Sequence, residues 1–390
     1  MIDRKTAGPV IPRRRLLQGT AAGAAVGLIG VKLRPAAAQE VTMRGYGTSA
    51  QGLEDWTPFV EATGMEMRYT PTVGDPGVVL REIMANEIGR DYDFFLTEVG
   101  MQTVLGEDWF LPLDTSHPAL TLWDRVPEAF TAPLRVGDVQ YGVPNVGGAD
   151  SFGFWPDALG VDDPTETLSW KLMFDSEETL GRVGLSTTMV YSFPLMAQYV
   201  HNAGIHQIAD VTNLSAEEAR AVADFGIARK QAGQFRAFFV GFDEQVQLLG
   251  NREVDILNCW SDAVVVVNEQ QGGEVVHYAN ADYYFKWGNA LFVPIQAAER
   301  DNLDRIYETL NFFLSGAYLA PMGRKGLAGP NMDLAVAYAE EQGWPAEDVA
   351  KIGAVGDTVA RKYETPQFSF NPVPPNLAVM EEEWQRFLNA

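Results

Sequence analysis

Between residues 41 and 100 the chain alternates strand-like and helix-like segments in the order β-α-β-α-β, which leaves few folds open. "VTMRGYG" (41–47) is short and extended. "QGLEDWTPFVEATG" (51–64) has the apolar spacing of an amphipathic helix closed by Gly64. "MEMRYTP" reads as a second strand, "PGVVLREIMANEIGR" as a second helix, and "YDFFLTEVG" (92–100) as a third strand with a polar tip. Consecutive strands joined by helices lie parallel, so the class is α/β with helices on the sheet faces. In such sheets ligands bind beyond the C-terminal strand ends. Those tips carry Tyr46, Thr48 and Ser49 after the first strand, and Glu98 after the third.

A second α/β region is expected over roughly 150–283, and 390 residues suit two domains. "YGVPNVGGADSFGFWP" (141–156) is glycine-rich but extended. "MVYSFPLMAQYVHNAG" (189–204) and "SAEEARAVADFGIARKQA" (215–232) are helical patterns, the latter with a capping box from Ser215 to Glu218. "EVDILNCWSDAVVVV" is a strand, a tip at Trp260-Ser261-Asp262, and a further element. "VVHYANADYYFKWGNALFVP" is extended throughout, and helices dominate from Ala297 onward.

The first 38 residues belong to a different kind of segment. A basic stretch ends in Arg13-Arg14-Arg15-Leu16-Leu17, a small-residue apolar run follows, and Ala36-Ala37-Ala38 offers an A-x-A cut. This is the layout of a secretory leader, and the arginines before two leucines resemble the twin-arginine export signal. The apolar run is too short to span a bilayer. Cleavage near Ala38 and residence in the periplasm are the expectations. Loss of a leader with six net positive charges deepens the chain's net charge from −23 to −29. So acidic a protein is a poor partner for nucleic acid or an anionic membrane, and it does not repel a small cation. The single cysteine, Cys259, sits in an apolar run and reads as a buried thiol without a disulfide.

Six segments, taken in order, resemble the spermidine/putrescine-binding family of ABC-importer solute-binding proteins. They are "LEDWTPFVEATGMEMRY", "GRDYDFFLTE", "YGVPNVGGADSFGFW", "TLSWKLMFDSEETLGRVGL", "REVDILNCWSDAV" and "KWGNALFVPIQAAERDNLDRIYETLNFFLSGAYLAPM". The likeness covers about residues 41–388. It implies a two-lobed periplasmic-binding-protein fold with hinge crossing strands and a ligand cleft. One lobe would hold 41–144 plus 288–332, and the other 150–283 plus 336–390. It also implies a small-molecule solute and an ABC permease as partner; no cofactor is expected, and nothing in the sequence suggests an obligate oligomer, so a monomer is the expectation.

The resemblance further implies that aromatic faces and carboxylates hold an amine, because a buried ammonium must recover its lost hydration. By position Trp260, Trp287 and Tyr46 match the family's aromatic residues. Of the adjacent Tyr283, Tyr284 and Phe285, alternation sends at least one into the core; Tyr284 is the candidate for the cleft. The acids depart from the family's pattern. Asn289 replaces an expected Asp, and Thr188 and Tyr191 stand where two acids are expected. Glu98, Asp150 and Asp262 remain, enough for one cationic centre. A compact monocation, a quaternary amine or a zwitterion therefore fits better than a polyamine.

Two other readings start from the same residues. Tyr283-Tyr284 could ligate ferric iron, although neighbours on a strand point to opposite faces. An enzyme would need a constellation that is missing. His117, His201, His206 and His277 lack metal spacing, and there is no G-x-S-x-G, phosphate loop or dinucleotide fingerprint.

Overall fold

The structure, a computed structural model, describes residues 41–72, 76–369, 371 and 373–390. The expected leader, 1–38, lies outside the described residues.

The chain opens with β1 (Thr42–Thr48), α1 (Thr57–Thr63), β2 (Glu66–Thr72), α2 (Pro76–Asn86), β3 (Phe94–Glu98) and α3 (Met101–Trp109). This is the expected β-α-β-α-β order. The long strand β4 (Gly142–Phe154) leads to β5 (Val183–Ser186), α4 (Met189–Asn202), α5 (Ala216–Gln231), β6 (Phe235–Phe239) and α6 (Phe242–Gly250). Then come β7 (Ile256–Cys259), α7 (Ser261–Gln271), β8 (His277–Tyr278) and β9 (Tyr284–Phe292). The chain ends with α8 (Leu303–Phe313), α9 (Gly316–Arg324), α10 (Met332–Glu341), α11 (Ala346–Glu364), β10 (Gln367–Ser369) and α12 (Leu377–Leu388).

One continuous sheet has the order β2-β1-β3-β9-β4-β7-β5-β6, with β8 added to β4 and β10 to β9. β1 runs parallel to β2 and β3, and β5 runs parallel to β6 and β7. These are two parallel βα halves. β4 and β9 join them as an antiparallel pair, from Phe292↔Gly142 to Phe285↔Asp150. β4 then continues into the second half, where Ser151↔Cys259 and Phe154↔Ile256 pair it with β7. Gly147 and Gly148 stand at this crossing. A Cβ on Gly147 would come within 2.9 Å of the Trp287 carbonyl, and one on Gly148 within 3.0 Å of the Trp287 indole. Glycine lets two backbones and a large ring share that space.

The apolar core divides in the same way. Met43, Phe59, Phe94, Leu291 and Phe313 belong to one cluster; Phe152, Trp170, Phe193, Tyr283 and Trp384 belong to another. Trp287 packs against both. The first cluster also takes in Ala335, Ala339 and Ile352. The 19 residues of α11 bridge the two clusters, with Ile352 in the first and Tyr363 packed against the second. The capping box of α5 is formed: Ser215 N–H donates to Glu218 Oε2 (2.8 Å), and Glu218 N–H to Ser215 Oγ (3.3 Å). No described helix is long and apolar enough to cross a membrane.

Candidate functional site

A cavity of about 660 Å³ lies where the second-half strands end. Such a volume is that of a small-molecule site. The β4 crossing contributes Asp150 and Ser151 to its wall, the tips of β5 and β7 contribute Ser186 and Trp260, α4 contributes Tyr191, and β9 contributes Phe285. From the first half, α2 closes it with Gly77, Leu80 and Arg81, and from the C-terminal end α12 adds Leu377 and Glu381.

The aromatic wall is built in two layers. The Trp260 indole stacks on Phe242 (6.1 Å, 15°), and Tyr191 meets it edge-on at 6.5 Å. Tyr191 also packs edge-on against Phe285 (5.3 Å). Trp260 sits at the N-cap of α7, with its N–H on Gln245 Oε1 (3.2 Å), so backbone and ring are both fixed. Beside it, Asn258 accepts from Ser186 N–H (2.9 Å) and donates to Ser192 Oγ (3.2 Å). Ser151 Oγ is buried at the cavity and has no partner among the described residues.

Asp150 is the charged centre. Protein surrounds it except where the cavity reaches it, and desolvation raises its pKa to about 7. Three neighbours oppose that rise: the Lys362 charge, the Trp287 indole and the Tyr278 hydroxyl, 3.4 Å away. The Trp287 N–H faces the carboxyl, yet among the described residues no acceptor lies in hydrogen-bond geometry with it. The negative charge of Asp262 pushes the Asp150 pKa further up. The Tyr278 hydroxyl donates to the Cys259 carbonyl (2.9 Å) and accepts from Ser151 N–H (2.7 Å). Lys362, 6% exposed, comes from α11 and donates to the Ala149 carbonyl (2.8 Å). Its ammonium lies 4.5 Å from the Tyr278 ring centroid and 5.1 Å from that of Tyr284.

Asp150, Thr188, Tyr191 and Trp260, named from the sequence, thus meet in one cavity. The other candidates lie elsewhere. Trp287 and Asn289 line a separate space of about 20 Å³, room for one water. Asn289 Oδ1 accepts from Gln51 Nε2 (2.5 Å), which ties it into the first half. Glu98 stands opposite Asn289 in register and accepts from Thr97 Oγ1 (2.7 Å). Neither cavity includes Glu98, Tyr46, Thr48 or Ser49. Tyr46 points into the core, against Tyr92 and Phe95, because β1 turns that face toward α2 and α3. Thr48 uses its carbonyl to accept from the Tyr69 hydroxyl (2.8 Å), and Ser49 is exposed. Asp262 is exposed in the first turn of α7 and acts on Asp150 only through its charge.

On β9 the cleft-facing aromatic is Phe285, not Tyr284. Tyr284 is buried with its hydroxyl accepting from Ala281 N–H (3.0 Å), and Tyr283 donates to the Leu195 carbonyl (2.9 Å). Those two hydroxyls are separately engaged, which removes the geometry of a tyrosine pair on iron. Cys259 is a buried free thiol, as read, and it also borders the cavity. Sequence reasoning missed Lys362, Tyr278 and Arg81. Lys362 follows an arginine in a polar helix, a pattern that reads as solvated; only the packing of α11 on β4 shows otherwise.

No protein-family model matches the chain, and no curated protein is similar to it in sequence. Solved structures are similar. The spermidine/putrescine ABC transporter substrate-binding protein PotD from Streptococcus pneumoniae superposes with a TM-score of 0.67 at 15% identity, over 90% of this chain and 99% of that one. An ABC transporter substrate-binding protein from Bradyrhizobium japonicum gives 0.63 at 18% identity, over 90% and 100%. The PBP MotA from A. tumefaciens B6, solved in complex with glucopine, gives 0.57 at 14% identity, over 89% and 99%. At these identities the likeness is one of fold. The chain has the two-lobed α/β fold of ABC-transporter substrate-binding proteins.

Proposed function

We propose that this protein is the substrate-binding component of an ABC importer: it captures a small amine-type, quaternary-amine or zwitterionic solute and hands it to a membrane permease. The observation that carries the reading is the cavity of about 660 Å³ whose wall holds Trp260, Tyr191 and Phe285 together with Asp150. An aromatic face beside one carboxylate is the chemistry that holds a desolvated nitrogen cation. Arg81, which α2 contributes to the lining, suits the anionic end of a zwitterion. A classical polyamine needs an acid for each ammonium. Among the described residues, the acids on the cavity wall are Asp150 and the exposed Glu381. The fold shared with transport proteins, one of them a spermidine/putrescine substrate-binding protein, supports the importer role without turnover of the solute.

In this reading the leader, 1–38, directs export through the twin-arginine route, and the mature protein works in the periplasm as a monomer. The lobes are 41–144 with the chain from 288 through Ile352, and 150–283 with the chain from Lys362 onward. Residues of both lobes line the cavity, so closure would enclose the solute.

A thermal-shift screen against amines, betaines and amino acids tests this. A true ligand at a hundredfold excess over its Kd stabilises the fold by about 2.7 kcal/mol. Asp150→Asn should abolish the shift. A hit that survives both Asp150→Asn and Trp260→Ala would place binding outside this cavity.

A further inference from the structure

We propose that Lys362 is a resident counter-cation that neutralises Asp150 and thereby sets specificity, so that the cleft selects a solute carrying its own anionic group over a bare organic cation. The inference rests on reading the cavity as the solute site.

Lys362 is buried, yet among the described residues no carboxylate lies within ion-pair distance of it. Among the described residues its ammonium has one hydrogen bond, to the Ala149 carbonyl, and two tyrosine faces, Tyr278 and Tyr284. A buried ammonium needs opposite charge, and Asp150, one residue along β4 from its hydrogen-bond acceptor, is the strongest source acting on it. The same Tyr278 approaches both partners: its ring faces the lysine and its hydroxyl faces Asp150. A lysine held between aromatic faces near a carboxylate occupies the arrangement that would otherwise receive an ammonium from outside. A bare cation entering the cavity therefore meets a carboxylate whose charge is already shared, with a fixed cation behind it. A zwitterion avoids that penalty because its anionic end can turn to Arg81, which α2 brings to the same cavity.

Choline is the probe, because its charge does not change with pH. Its binding is followed by calorimetry in the wild type, in Lys362→Met and in Lys362→Met/Trp260→Ala. Choline affinity should rise about ten-fold or more in Lys362→Met, corresponding to about 1.4 kcal/mol. It should fall again in the double variant. Unchanged affinity in a natively folded Lys362→Met overturns the counter-cation role. A gain that survives Trp260→Ala instead overturns the cavity as the binding site and leaves the neutralising role standing.

A second arm needs no mutation. Desolvation lowers the Lys362 pKa to about 8. The other titratable neighbours are Asp150, Asp262, Cys259, Tyr278, Tyr284 and Arg361; burial pushes the Cys259 thiol and both tyrosines up. Between about pH 7.5 and about pH 9.5 the lysine is the group that discharges. Choline binding by the wild type should strengthen over that interval. A flat or falling profile refutes the proposal.

Discussion

The Asp150 carboxyl titrates near neutrality, between its ordinary 3.8 in the unfolded chain and about 7 in the folded one. Across that window the native state keeps a proton that the unfolded state has released, so rising pH lowers stability, by no more than about 1.4 kcal/mol per pH unit for one proton. Asp150→Asn should flatten Tm against pH between about 4 and 7, and an unchanged slope would contradict the shift. Lys362 has the opposite sign: folding holds its pKa at about 8 against an ordinary 10.5. Its cost is full below about pH 8 and is relieved as pH climbs toward 10.5. The two tryptophans should separate by experiment. Trp260→Ala removes a cavity face and should weaken solute binding by about 0.5–2 kcal/mol with little change in Tm. Trp287→Ala removes a ring that packs on both cores and should cost about 2–4 kcal/mol of stability, measured by urea unfolding. Among residues, Trp260 at a strand tip and Asp150 within the β4 crossing were named from the sequence and line the cavity. Tyr46 and Tyr284 failed because an aromatic on a strand serves core or cleft equally well, and one residue of alternation decides between them.

At the scale of elements, the local patterns were strong guides. The first five elements, the helix 189–202 and the capped helix 216–231 follow from apolar periodicity and end signals. Ser215→Ala should cost about 1 kcal/mol by unbonding the start of α5, seen as a lower unfolding midpoint. Pairings between distant segments were less accessible. That β9 inserts between β3 and β4 is a long-range fact; "YYFKWGNA" says only that the segment is extended. The Gly147-Gly148 pair has its meaning from Trp287, whose carbonyl lies against Gly147 and whose ring lies against Gly148. Gly148→Ala should displace that ring, which near-ultraviolet circular dichroism would report.

Over the whole molecule, apolar clusters on both halves share one sheet, and the two largest are joined by β4, β9 and α11. Calorimetry should therefore show a single transition whose calorimetric and van't Hoff enthalpies agree. Two resolved transitions would mean that the halves unfold independently. The division of the last hundred residues was beyond the sequence for a related reason. A helix with a polar surface carries no mark of which core it serves, and α11 serves both.

That helix has a mechanical consequence. From Ile352, rooted in the first core, to Lys362 it rises about 15 Å at 1.5 Å per residue. A stiff arm of that length converts a rotation of about 10° between the lobes into a displacement of about 2.6 Å at its tip, comparable to a hydrogen-bond length. The fixed charge behind Asp150 is thus mounted on a lever, and the field a solute meets in the cleft becomes a reading of the angle between the lobes.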